Sequence, residues 1–242
     1  MITRAEIVDI KSLATKQGRE ELGAFIAEGE KLVGEIRNSS LRIRRILQTK
    51  PIFSEGEIIS EKEMERISQL KTANSVLAVV ELPRHSLAKA QPAKNLVLAL
   101  DRVQNPGNLG TIARTSAAFG KKTLIISDDC ADIYNPKTIR GAMGALFRMK
   151  IAVVEDITLI IGLLRKGGRR VFAAALDPTA VRLGKETLRK GDTVVIGNEG
   201  HGLSAETIRA CGQSLYIPME EGSESLNAAI AASVILWSMY SE

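Results

Sequence analysis

The stretch Thr193-Val-Val-Ile-Gly-Asn-Glu-Gly-His-Gly-Leu-Ser204, with Leu215-Tyr-Ile-Pro-Met219 and Ser225-Leu-Asn-Ala-Ala-Ile-Ala-Ala-Ser-Val-Ile-Leu-Trp237 after it, decides how the chain folds. It reads as strand, glycine loop, strand, polar loop and apolar helix, because β-branched runs that stop at Gly or Pro are strands ending where a loop must begin. Gly197, Gly200 and Gly202 let backbone amides approach a ligand where a side chain would block them. Ser225 stands at the expected N-cap of the last helix, and Asn227 falls in its first turn. Two polar loops from adjacent strands therefore converge beside one helix start, and chemistry is expected there.

Upstream, strands alternate with helices. Leu96–Leu100, Thr123–Ile126, Val171–Leu176, Val194–Ile196 and Leu215–Ile217 read as strands, with helices near Leu109–Phe119, Pro136–Leu146, Ile157–Lys166 and Ala205–Ala210. This is the pattern of an α/β fold with a mostly parallel sheet covered on both faces. Before it, the proline-bracketed polar stretch Pro83–Lys94 reads as a linker, so the division expected is 1–82, a linker at 83–94, and 95–242. Residues 1–82 form a small α/β unit of their own. Ile7 and Ile10 share a helical face, Phe25–Gly29 is a strand leading into a helix over Glu30–Asn38, and Ile43–Leu47 and Val76–Val80 are further strands. Ser60-Glu-Lys-Glu63 is a capping box. Arg42, Arg44 and Arg45 lie on a strand edge, as either a solvated surface or a patch facing RNA.

A chain of 242 residues with 45% hydrophobic content can bury a substantial core. Its longest apolar run, Leu226–Tyr240, is too short to span a bilayer and is interrupted by Ser233 and Ser238. The amino terminus has no signal-peptide core, and a cytoplasmic location is expected. Cys130, Cys211, His85 and His201 offer neither a disulfide framework nor zinc-ligand spacing, so no metal is expected. The net charge of +5 permits an anionic partner. An aromatic content of 4% argues against a base-stacking platform and for phosphate contacts by Lys and Arg.

The first strand of the sheet ends in Asp101-Arg-Val-Gln-Asn-Pro-Gly-Asn-Leu-Gly-Thr-Ile-Ala-Arg-Thr-Ser-Ala-Ala-Phe-Gly120. A polar loop at the carboxyl end of a parallel strand is the usual ligand position in such sheets. Asn105 and Asn108 supply amide groups and Pro106-Gly107 the turn. Arg114, fixed on the following helix, is suited to gripping a phosphate or steering a hydroxyl; on spacing alone an ordinary surface ion pair is the favoured reading. The loop lacks the glycine spacing of a dinucleotide site, and the chain has no phosphate loop, which argues against a nicotinamide enzyme or an NTPase.

Three blocks taken together resemble a known family. Asn105-Pro-x-Asn-x-Gly-x-x-x-Arg114-Thr, Gly197-Asn-Glu-Gly-His-Gly-Leu203 and Ile217-Pro-Met with Glu224-Ser-Leu-Asn227 are similar, in order and spacing, to the sequence blocks of the SpoU/TrmH RNA ribose 2′-O-methyltransferases. Phe25-x-x-Glu-Gly29 resembles the L30e-like substrate-binding domain carried by the ribosomal-RNA branch. The resemblance implies a C-terminal α/β knot that builds a site for S-adenosylmethionine, a homodimer with the active site near its interface, and RNA as partner. It implies catalytic or RNA-orienting roles for Asn108, Arg114, Glu199, Ser225 and Asn227, and cofactor contacts at Gly197, Ile217, Met219 and Leu226. Glu220 and Glu221 depart from it by adding negative charge beside the cofactor loop.

The implied reaction is an in-line displacement that needs positioning and removal of a proton from a ribose hydroxyl. The blocks carry no histidine placed as a base. The resemblance makes Arg114 the proton acceptor, which is awkward for a guanidinium; holding the adjacent phosphate and stabilising the developing alkoxide is equally open. The expected function is methylation of ribosomal RNA. A transfer-RNA substrate, or a non-catalytic role in RNA binding or ribosome assembly, are the alternatives.

Overall fold

The computed structural model describes residues 2–83, 97–121, 123–189, 191–220, 222 and 225–240. In chain order the elements begin with α1 (Arg4–Ser12), α2 (Lys16–Leu22), β1 (Ala24–Glu28), α3 (Glu30–Arg37) and β2 (Ile43–Gln48). Next come β3 (Glu57–Ile58), α4 (Glu61–Ile67), β4 (Val76–Glu81), β5 (Val97–Leu100), α5 (Pro106–Ala118) and β6 (Thr123–Ser127). Then follow α6 (Pro136–Ala142), β7 (Lys150–Val154), α7 (Ile157–Lys166), β8 (Val171–Ala174) and β9 (Val181–Arg182). The chain ends with β10 (Thr193–Ile196), α8 (Ala205–Cys211), β11 (Gly212–Tyr216) and α9 (Ala228–Tyr240). It divides into two compact units: Met1–Arg84 with Asp132–Arg148, and His85–Ala131 with Met149–Glu242. The linker expected over 83–94 falls, apart from Pro83, outside the described residues.

In the first unit four strands lie in the order β1-β4-β2-β3. β4 runs antiparallel to both β1 and β2. Local sequence sets the helix starts: Thr3 with Glu6 and Ser60 with Glu63 form capping boxes, each satisfying two otherwise orphan N–H groups. Asp132–Arg148 belongs here for physical reasons. The Phe25 ring on β1 lies 4.6 Å from that of Tyr134 and 6.1 Å from that of Phe147. The buried Arg19 donates to Leu13 O and pairs with Asp132. The helix expected over Pro136–Leu146 is broken: α6 stops at Ala142, Met143 and Gly144 take positive φ of 49° and 85°, and a 3-10 turn follows.

The second unit is a seven-stranded sheet in the order β7-β6-β5-β10-β8-β11-β9. All its pairings are parallel. Burial of β6 and β10 at every position is what a sheet covered on both faces requires. Asn105 opens α5 by accepting from the Gly107 and Asn108 N–H groups, with Pro106 at the first helical position. Asp156 and Ser204 cap α7 and α8 in the same way. β3, β7, β9 and α2 are not among the elements expected from the sequence. Among the described residues no helix is long and apolar enough to cross a membrane.

Candidate active site

The carboxyl ends of β5 and β10 are neighbours in the sheet, so the loops that leave them are brought side by side. Asn198 folds the second loop. Its Oδ1 accepts from Gly200 and His201 N–H at 2.9 and 3.0 Å, and its Nδ2 donates to Arg102 O at 2.9 Å. The loop then closes on itself through paired bonds between Asn198 and Gly202. A Cβ on Gly197 would sit 2.5 Å from the Gly202 carbonyl carbon, so this closure is what demands glycine there. Arg102, at the end of β5, holds a left-handed φ of 55°, a conformation that costs of order 1–3 kcal/mol in a non-glycine residue.

This turn presents the Glu199 carboxylate to the start of α5. Oε2 accepts from Gln104 N–H at 3.1 Å, and Oε1 from Asn105 N–H at 3.1 Å and from Asn108 Nδ2 at 2.8 Å. Burial works to raise the Glu199 carboxyl. The hydrogen bonds from Asn108 and from backbone N–H groups outweigh it and hold the group below the usual carboxylate range. Asn108 Oδ1 in turn accepts from Asn227 Nδ2 at 3.1 Å. Asn227 Oδ1 accepts from Ala229 and Ile230 N–H at 2.9 and 3.4 Å. One hydrogen-bonded chain, Glu199–Asn108–Asn227, therefore ties all three sequence blocks together. It also corrects one expectation: Asn227, not Ser225, caps the last helix, which starts at Ala228 rather than beside Ser225.

Beside this chain of bonds, a cavity of about 320 Å³ opens at the carboxyl ends of β8 and β11. Ile217, Met219, Ser225 and Leu226 line it, together with Leu203 and His201, which the sequence had not singled out. Gly197 is not on its wall. The lining is apolar except for Ser225, His201, the Tyr216 side chain and backbone groups, and the volume is within the range of small-molecule and cofactor sites. Glu220 is exposed next to it; Glu221 falls outside the described residues. Arg114 points from the exposed face of α5, and among the described residues it makes no hydrogen bond or ion pair. The surface ion pair that spacing allowed is not formed there.

Arg42, Arg44 and Arg45 are not a shared patch of free cations. A register irregularity between Ile43 and Arg45 puts their side chains out of alternation. Arg45 is clamped by Glu6 and Glu57 at 2.6 Å each, and Arg44 donates to Leu22 O and Gly23 O at the end of α2. Arg42 and Arg44 are both exposed, Arg42 lying 3.6 Å from Glu81.

A parallel α/β sheet whose three polar blocks meet beside an apolar cavity defines a class. The chain belongs to the SpoU rRNA Methylase family, whose model matches residues 95–237. Residues 4–78 match a model described as the MRM3-like substrate binding domain. Within that class the chain is 32% identical to the 23S rRNA (guanosine(2553)-2′-O)-methyltransferase RlmP of Bacillus subtilis (strain 168), over 96% of this chain and 94% of that protein. Among solved structures it is similar to a TrmH-family protein of Porphyromonas gingivalis, with a TM-score of 0.88 and 32% identity over 99% of this chain and 98% of that one. It is equally similar in fold to an rRNA methyltransferase of Sinorhizobium meliloti solved with AdoMet bound, with a TM-score of 0.88 and 29% identity over 99% and 95% of the two chains.

Proposed function

We propose that this protein transfers a methyl group from S-adenosylmethionine to the 2′-hydroxyl of a ribose in ribosomal RNA. The observation that carries the reading is the Glu199–Asn108–Asn227 hydrogen-bonded chain, which joins three separate sequence blocks, two of which also line one cavity. The choice of ribosomal RNA is supported by the substrate-binding domain matched over 4–78 and by the activity in the name of the Bacillus subtilis relative.

The cavity fits the cofactor in chemistry: apolar walls for the adenosyl group, and loop backbone at Ile217 to Met219 for its polar edges. Ile217, Met219 and Leu226 would hold it, with Ser225 at the rim. When bound, the cofactor supplies an electrophilic methyl on a sulfonium. The remaining work falls to side chains. Glu199, already accepting three N–H groups and held ionised, is poorly placed to accept another proton; it keeps the α5 start and Asn108 in position. Asn108 and Asn227 orient the ribose. Arg114 holds the adjacent phosphate and stabilises the alkoxide as the hydroxyl loses its proton to water, since a guanidinium remains protonated near neutral pH.

The same reading includes the knotted passage of the chain's end, supported by family membership and by α9 returning to α5, where Ser233 Oγ lies 3.5 Å from Thr115 Oγ1. It includes a cytoplasmic homodimer as well. Ile230, Trp237 and Tyr240 of α9 are all more than half exposed, and a second copy is the natural cover for such a face.

Incubation with tritiated S-adenosylmethionine and total RNA, followed by nuclease digestion, tests the function. Label in a 2′-O-methyl nucleoside from ribosomal RNA is expected. Label in transfer RNA, label on a base, or no label despite RNA binding would each replace the reading by a different one.

A further inference from the structure

Residues 165–190 carry eight lysines and arginines against two acidic residues. That excess of six exceeds the net +5 of the whole chain, so the remainder of the molecule is close to neutral. The charge is also gathered in space. Arg165, Lys166, Arg169 and Arg170 line one open cavity of about 770 Å³ with a single carboxylate, Glu186, among its lining residues.

The position of this cavity follows from strand register. β8 and β11 are parallel, with Val171 opposite Gly212 and Leu215 opposite Ala174. The basic cavity is lined by Val171 and Gly212 at their amino ends; the apolar cavity is lined by Ala174 and Tyr216 at their carboxyl ends. Four residue steps of extended chain, from Gly212 to Tyr216, span roughly 13 Å. That is about four steps of a nucleic-acid strand at roughly 3.4 Å each.

The cations have unequal local duties. Arg170 is paired with Glu186 and Asp192 and lies 5.1 Å from the Phe172 ring centre. Arg165 gives Nη1 to the Ala210 carbonyl at 2.8 Å, a neutral partner, and its guanidinium lies where a Cβ on Gly212 would be. Lys166 is exposed and, among the described residues, makes no hydrogen bond or ion pair. A favourable interaction with the carboxyl end of α7 accounts for cations at Arg165 and Lys166. It does not account for Arg169 and Arg170 beyond the helix end, nor for Arg182, Lys185, Arg189 and Lys190 on a separate segment.

We propose that this cavity is a second RNA contact, taking backbone phosphates of the same RNA whose ribose is presented at the other end of β8 and β11. The inference rests on the RNA-methyltransferase reading for the identity of the ligand. The cavity is larger than one phosphate requires, and the sequence adds four more cations over 182–190, which fits a polyanionic strand better than a single small anion.

Ribosomal-RNA binding as a function of salt, with single-turnover methylation, tests it in wild type, Lys166→Ala and Lys166→Glu. Lys166 holds no described partner, so both variants should fold; unchanged S-adenosylmethionine affinity verifies this. Lys166→Ala should lower the slope of log affinity against log salt by about 0.7–0.9, the loss of one phosphate contact. Lys166→Glu should weaken RNA binding about tenfold at physiological salt, while the single-turnover rate at saturating RNA stays within about twofold of wild type. Wild-type affinity and salt slope in both variants would overturn the inference while leaving methylation intact. If RNA binding falls as expected but wild type transfers no methyl group, the contact stands and the enzymatic reading fails. Saturable AMP binding that Lys166→Glu abolishes, with RNA affinity unmoved, would make this a small-molecule phosphate site and also overturn it.

Discussion

Asn108→Asp tests the hydrogen-bonded chain most directly. Asn108 donates to Glu199 at 2.8 Å on one side and accepts from Asn227 at 3.1 Å on the other. Aspartate keeps the shape and the acceptor, but it replaces the donor with a second carboxylate oxygen facing Glu199. The lost bond to a charged group is worth about 1.5–3 kcal/mol. Two carboxylates relaxed to about 4 Å repel by about 1 kcal/mol in water and by about 4 kcal/mol at an effective dielectric of about 20. Glu199 is exposed, so the low end of both ranges governs, and the variant should lose about 2–3 kcal/mol near neutral pH. Asn108→Ala removes the bond without adding a charge and should lose about 1–2 kcal/mol.

Acid separates the two substitutions. In wild type Glu199 titrates below its ordinary 4.5, so its contribution is present above that value and is lost as pH falls toward the lowered one. In Asn108→Asp, repulsion raises the proton affinity of the carboxylate pair. The added penalty is therefore present at neutral pH and disappears as pH falls through the carboxylate range, where one shared proton restores a donor. Urea unfolding should rank the aspartate variant below the alanine variant near neutral pH and bring them together near the carboxylate range. The chain's one tryptophan, Trp237, is on α9, so its fluorescence reports on this unit. Equal stability of the two variants near neutral pH, or a difference that does not move with pH, would refute the geometry.

Arg114→Ala should cut single-turnover methylation by about a hundredfold while leaving stability within about 0.5 kcal/mol, since no described partner depends on it. Lysine at the same position tests whether charge suffices; restored rate would mean simple phosphate attraction. Asn227→Ala should destabilise by about 1 kcal/mol through loss of the α9 cap alone, whereas Ser225→Ala should unfold at the wild-type urea midpoint. Trp237→Glu should convert a dimer to a monomer in sedimentation at micromolar concentration; a wild-type monomer under the same conditions would remove the basis for that expectation.

β10 is legible because Thr193-Val-Val-Ile196 is a β-branched run stopped by Gly197, and a parallel sheet buries such runs on both faces; β5 and β8 are legible as short apolar runs. β7, Lys150-Ile-Ala-Val-Val154, has the β-branched residues but runs into Glu155 with no Gly, Asn or Pro to mark its end. α2 was less readable: its interior holds Gly18, where a Cβ would meet the Ser12 carbonyl oxygen at 2.2 Å, so a close crossing of α1's end overrides poor helix propensity. The arginines of β2 show a different limit. A strand of strict alternation would put Arg42 and Arg44 on one face, but the irregularity at Arg44 and the clamp by Glu6, 39 positions away, are tertiary facts with no local trace. Asp132–Arg148 was hidden for the same reason, since only the long-range Arg19–Asp132 pair and the Phe25 ring contacts reveal its company.

At the site itself, the hydrogen bonds of Asn227 leave room for two roles at once. Asn227 could be read as polar filler at a helix start or as a residue of the reaction centre, as if one excluded the other. Its two amide atoms divide the work: Oδ1 holds the first N–H groups of α9, and Nδ2 reaches Asn108. Aspartate would cap α9 as well but has no donor for Asn108, and serine is too short to serve both ends. Asparagine alone among the good caps carries donor and acceptor on one rigid group. The same logic holds at Asn108, whose donor is matched to a carboxylate and whose acceptor is matched to an amide. Reversing either joint breaks the polarity of the whole chain from Glu199 to α9. The side chains at this site are therefore specified by hydrogen-bond direction as much as by size or charge, and direction is the property that a one-dimensional reading of residue types cannot supply.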